Sequence, residues 1–122
     1  MTYPGSWFGA LPGTALTGAG GSFGPPTTLT IAGGIAVKGT AGRNILLAGQ
    51  GGLADSLDAL TGYAEGDMVV IGPSSGTVTI TITDSVGMNL QGIDFIMDDI
   101  NDSIILMNQG TNTWKELSRA AN

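Results

Sequence analysis

Asp94, Asp98, Asp99 and Asp102 form the densest group of side chains in this 122-residue sequence that could do chemistry. Carboxylates gathered in one loop are the donor set of calcium, which takes about six to eight oxygen ligands. The spacing here lacks the glycine and the distal Glu of a calcium-binding loop. Asp and Asn at a hairpin turn, by contrast, satisfy nearby backbone groups with their own side chains. A turn is therefore expected at 98–102, and no metal. The sequence has neither His nor Cys, which removes the commonest general base and the imidazole and thiolate ligands together. A glycosidase would need two acids facing each other across a cleft, and no pair of acids stands out for that role. A Ser nucleophile without His would need a Lys or a terminal amine as its base. Neither Lys38 nor Lys115 has a neighbouring Ser in a recognisable pattern. Gly49-Gln50-Gly51-Gly52 lacks the Lys-Ser/Thr that completes a phosphate-binding loop and reads as a turn. Asn101-Asp102-Ser103 matches a glycosylation acceptor, but without a secretory signal it carries no assignment. The expectation is a protein that is not an enzyme and holds no cofactor.

Charge points the same way. The net charge is −6, from ten acids and four bases. A nucleic-acid binder needs a basic footprint to release counterions from phosphate, and adsorption to an anionic membrane needs basic residues too. Neither partner is expected. No run of residues is long and apolar enough to span a bilayer. The absence of cysteine fits a reducing compartment.

The charges are also unevenly placed. Every acid lies from Asp55 onward, and Met1 to Val37 contains no charged side chain at all. Residues 1–26 combine repeated Gly and Pro with the large apolar residues Tyr3, Trp7, Phe8, Leu11, Leu16 and Phe23. Such a stretch has too little side-chain volume for a core and too few charges for an ordinary solvated tail. Extended, it could span on the order of 80 Å. It reads as an arm laid along another protein through Tyr3, Trp7, Phe8, Leu11 and Phe23, a flexible linker being the alternative. Residues 27–122 are then the domain.

Within the domain, Thr28–Ile31, Ile35–Val37 and Asn44–Ala48 read as short strands. Residues 54–63 carry the one helix signal: Asp55 or Ser56 can cap, Leu57 and Leu60 sit three apart, and Gly62 can end it. Thr77 to Thr83 alternates cleanly, with Val78, Ile80 and Ile82 on one face. Strands follow at Ile93–Met97, Ile104–Met107 and Thr113–Arg119. In the last of these, Trp114 and Glu116 share one face, and Lys115 and Leu117 the other. Turn signals recur about every ten residues, the spacing of an antiparallel sandwich or barrel. The expected fold is all-β: a small antiparallel jelly-roll-like sandwich or barrel with one short helix and an extended N-terminal arm.

Two strands break the alternation. Met68 to Ile71 and Ile104 to Met107 are apolar on both faces, and a domain this small cannot cover both sides. A second copy of the chain is the favoured cover, with Met68, Val70, Ile104, Leu106 and Trp114 as interface candidates. The alternative is that the short helix and the arm fold back over the outer face.

The order of motifs from about residue 55 to residue 119 resembles a module of tailed-bacteriophage structural proteins. The matching segments are Asp58-Ala59-Leu60-Thr61-Gly62, Glu65-Gly66-Asp67-Met68-Val69-Val70-Ile71, Asp102-Ser103-Ile104-Ile105-Leu106 and Trp114-Lys115-Glu116-Leu117-Ser118-Arg119. The resemblance is to the small trimeric β domains used as capsid decoration (cement) proteins, head fibres and fibre knobs. It implies a homotrimeric, non-enzymatic virion component with jelly-roll-like or barrel-like subunits, and does not say which part of the virion is decorated. The leading expectation is a decoration protein on the capsid exterior whose partners are major capsid protein and its own copies. A fibre knob binding a host-surface glycan is the alternative that the resemblance leaves open.

Overall fold

Between residues 35 and 82 several strands lie beside a strand roughly 25 residues earlier and run in the same direction: Ile45 is the neighbour of Ile71, and Asp55 of Ile80. A chain that repeatedly returns above itself in this way is a solenoid. The computed structural model describes residues 23–51 and 53–122. Tyr3, Trp7, Phe8 and Leu11 lie outside the described residues.

The first rung holds β1 (Thr27–Thr30) and β2 (Ile35–Val37). The second holds β3 (Asn44–Ala48), β4 (Ala54–Leu57) and β5 (Ala59–Thr61). The third holds β6 (Met68–Pro73), β7 (Thr79–Ile82) and β8 (Met88–Asn89). Parallel pairs β1–β3, β3–β6, β4–β7 and β2–β5 stack these rungs into walls. Of the last three strands, two run against the rungs and the final one turns back along them. Strand β9 (Phe95–Met97) lies antiparallel on β7, and β10 (Ser103–Gly110) lies antiparallel on β6. A hairpin then leads into β11 (Thr113–Ala120), which also pairs in parallel with β8. The main sheet therefore has six strands in the order β1-β3-β6-β10-β11-β8.

The all-β expectation holds, while two finer expectations are corrected. The rungs are joined by parallel pairing, which an antiparallel jelly roll does not contain, and no helix forms among the described residues. Where a helix was expected, Leu57 ends β4 and Leu60 sits mid-β5, both fully buried. Their three-residue spacing comes from two short strands meeting at a corner. At that corner the amides of Asp58 and Ala59 both donate to the Gly34 carbonyl of the rung below, at 2.7 and 3.1 Å. Gly34 adopts φ +82°, and a Cβ there would come within 2.5 Å of the Asp58 carboxylate. Only glycine fits so tight a stacked corner.

Inside the walls the apolar side chains alternate with outward ones. Ile45, Leu47, Val69, Ile71, Ile80, Ile82, Ile104, Leu106 and Trp114 are all fully buried. Each aliphatic side chain so buried contributes roughly 1.5–3 kcal/mol. Inward residues of adjacent strands are register partners: Ile45 beside Ile71, Ile71 beside Ile104, and Val69 beside Leu106. The interior is thus a stack of matched apolar layers.

Candidate functional site

The carboxylate cluster is a structural turn. Asp102 is buried, and its Oδ2 accepts the backbone amides of Asp98 and Asp99, each at 3.0 Å. Its Oδ1 accepts the Asn122 amide at 2.6 Å. The Asn122, Asp99 and Asp98 amides hold the Asp102 carboxyl below the usual carboxylate range, against the opposing effect of its burial. Asp94 accepts the Asp84 amide at 2.8 Å, and Asp99 accepts the Asn101 amide at 2.8 Å. Among the described residues no group of acids is arranged to hold a metal ion.

The other buried polar groups are used in the same way. Asn108 donates from Nδ2 to the Tyr63 carbonyl and accepts the Gly110 amide on Oδ1. Glu116 is buried and grips Arg119 with both oxygens, Oε2 to Nε at 2.6 Å and Oε1 to Nη2 at 2.7 Å. Those two residues, three apart, share one side of a strand because Leu117 is an extra residue: Ile105 pairs with Ser118, but Leu106 pairs with Glu116. Arg119 then donates to the Ile93 and Asp94 carbonyls and lies over the Phe95 ring, 4.8 Å from its centroid. The Arg119 hydrogen bonds draw the Glu116 carboxyl below its ordinary range. This clamp fastens the segment before β9 to the last strand. Sequence reading found neither the pair nor the bulge; its trace was the Trp-Lys-Glu-Leu-Ser-Arg segment.

Phe23, assigned to the arm, rests on the body. Its ring lies 5.6 Å from the Arg43 guanidinium, and Asn44 Nδ2 donates to the Gly24 carbonyl at 2.9 Å. Phe23 and Gly24 thus contact the domain through Arg43 and Asn44.

The interface candidates divide. Met68 and Val70 point out of the six-stranded sheet and are half-buried. Ile104, Leu106 and Trp114 point inward and are fully buried within the chain, so they are not available to a second copy. The outward residues of that strand are Ile105 and Met107. Register places Val70 beside Ile105 and Met68 beside Met107.

No family model, curated protein or solved structure matches this chain. The two features that the described residues offer to other molecules are therefore read on their own chemistry. One is the outward face of the six-stranded sheet. The other is the hairpin tip, where Thr111 and Asn112 both adopt left-handed conformations, at φ 55° and 57°. Further apolar residues are exposed elsewhere, including Val86 at 94%, Leu53 at 74%, and Ile35 and Val37 on one face of β2. No helix among the described residues is long and apolar enough to cross a membrane.

Proposed function

We propose that this chain is a structural component of a tailed-bacteriophage virion. In this reading it is a capsid decoration protein that binds major capsid protein on the outside of the shell as a homotrimer, performing no catalysis. One observation carries the reading: the first thirty-seven residues are uncharged, while the chain as a whole carries −6. Tyr3, Trp7, Phe8 and Leu11 are the arm residues that dock on the shell, with Phe23 fixing the root of the arm on the body. The buried carboxylates and amides support a structural role, since Asp102, Asn108 and Glu116 are spent on holding turns and strands.

The mechanism is mass action. A ligand that binds the assembled shell and not its separate parts stabilises the shell by its own binding free energy. Three arms on one trimer act together, so modest contacts by each give a long-lived attachment. The test is the thermal disassembly of empty shells with and without saturating protein. A rise in the disassembly temperature is expected, and no shift at saturation contradicts the proposal.

A second reading, a head-fibre or tail-fibre knob that binds a host-surface glycan, is favoured by the hairpin tip. A two-residue hairpin turn calls for left-handed conformations at both positions and Asn112 suits it, but the β-branched Thr111 is costly there, and such strain gathers at functional sites. Binding to a glycan array that disappears in Asn112→Ala would favour that reading over decoration.

A further inference from the structure

We propose that the outward face of the six-stranded sheet, centred on Met68, Val70, Ile105 and Met107, is where copies of this chain meet. The inference deepens the reading above and rests on it only for the number of copies. It also settles which side of the doubly apolar strands is left to a partner. Inward residues of β6 and β10 are consumed by the core, whereas the outward ones pair across the strands as Met68–Met107 and Val70–Ile105. Leu46 extends the same row on β3, beside Gly72.

Charge selects the occupant. No outward position on β3, β6 or β10 carries a charge: the rows read Asn44, Leu46, Ala48, then Met68, Val70, Gly72, then Ser103, Ile105, Met107. The first charge met is Lys115 on β11, beside Met107. The wall formed by β4, β7 and β9, by contrast, ends in Asp94 and Asp98 around the exposed Ile96. Two bodies of net charge −6 repel each other least where neither presents a carboxylate at the contact. A charged foreign partner finds almost nothing to pair with on this face. A second copy brings the same neutral, period-two row, and two such sheets can pack face to face. Residues 1–22 are neutral as well, but their large apolar side chains occur at irregular intervals and do not match a period-two surface.

The test combines sedimentation of the full chain with peroxide footprinting of its methionines. Met88 and Met97 are fully buried and serve as internal slow references. The wild-type chain is expected to sediment as an oligomer and to protect Met68 and Met107 from oxidation. Val70→Lys, which places a like charge on every copy at the centre of the face, is expected to sediment as a monomer. In it both methionines should oxidise at least tenfold faster, while Met88 and Met97 stay slow. A dilution series of wild-type protein checks the same point without a variant: protection must fall as the oligomer dissociates. A wild-type monomer, or an oligomer whose Met68 and Met107 oxidise freely, overturns the inference. Protection in a monomer that is lost only when residues 1–22 are removed also overturns it, because the arm would then be the cover. The two proposals fail separately: an oligomer through this face that leaves shells unstabilised sinks decoration alone, and a shell-stabilising oligomer with the face open sinks this inference alone.

Discussion

Trp114 Nε1 donates to the Leu60 carbonyl at 2.9 Å, joining the last strand of the chain to the second rung across the interior. The indole is fully buried and meets the Tyr63 ring edge-on, with centroids 5.5 Å apart. Trp114 therefore fills the core and also satisfies a carbonyl that the short strand β5 leaves facing inward. Its own backbone amide donates to the Gly87 carbonyl of the third rung. One residue thus ties three levels of the fold together. Trp114→Phe removes the donor and leaves a buried carbonyl unpaired, at a cost of about 2–3 kcal/mol. Urea unfolding should show a lower midpoint with an unchanged slope.

The Glu116–Arg119 clamp predicts a local effect. Arg119→Met leaves a buried carboxylate without its cation and frees the Ile93 and Asp94 carbonyls. Breaking a buried pair from one side costs about 3–5 kcal/mol, and the part-exposed guanidinium here lowers that to about 2. Amide exchange should accelerate first at Gln91, whose N–H donates to Glu116 Oε1, and across the segment leading into β9. Uniform acceleration over the whole chain would contradict a local role.

Acid should weaken the fold through Asp102 and Glu116. Both carboxyls titrate below their ordinary values in the folded chain, Asp102 mainly through the Asn122 amide and Glu116 mainly through Arg119. Their stabilisation is therefore present above the unfolded carboxylate values of about 4, and is lost as pH falls through the lower folded ones. Asp102→Asn should be less stable at pH 7 and should show a flatter loss of stability below pH ~4. Thermal midpoints of both proteins from pH 7 downward check this.

Alkali acts on Tyr63. Burial first, and then the Asp67 charge, push its hydroxyl up to about 12, and the hydroxyl donates to the Gly42 carbonyl at 2.5 Å. A raised value means that this contribution is complete below the unfolded value of about 10 and is lost as pH climbs through the folded one. Absorbance at the phenolate band should show Tyr63 ionising well after the ordinary tyrosine range. In Tyr63→Phe that late step should be absent, with a loss of about 1 kcal/mol at neutral pH.

The hairpin tip offers a stabilising change. Thr111 is β-branched and holds φ 55°, a conformation that disfavours its side chain by about 1–2 kcal/mol. Thr111→Asn relieves part of this and should raise the unfolding free energy by about 1 kcal/mol, read from chemical denaturation.

How far the sequence specified this fold can be judged strand by strand. Thr77 to Thr83 alternates in sequence, and in β7 Ile80 and Ile82 do turn inward, with Val78 packed on the core. Trp114 and Glu116 share the inward face as their spacing implied, and Lys115 and Leu117 are exposed. The Gly49–Gly51 segment is a bend, its Gln50 amide held by Asp55 at 2.9 Å. Pairing partners were another matter. A turn signal says that the chain changes direction but not by how much, so solenoid corners and hairpin turns read alike. Leu57 and Leu60 imitated a helical stripe for the same reason. In the doubly apolar strands no period marks the inner face. The choice of Ile104 and Leu106 over Ile105 and Met107 therefore needed the register with β6, which lies more than thirty residues away.

We propose that this chain attaches to a viral shell through its uncharged N-terminal arm. The most direct test is co-sedimentation of the purified protein with empty shells of the virus that encodes it, with and without residues 1–22. The full chain is expected to pellet with shells, and the shortened chain to stay folded, by its circular dichroism, yet remain in the supernatant. Full-length protein that ignores the shells, or a shortened chain that pellets with undiminished affinity, would contradict the proposal.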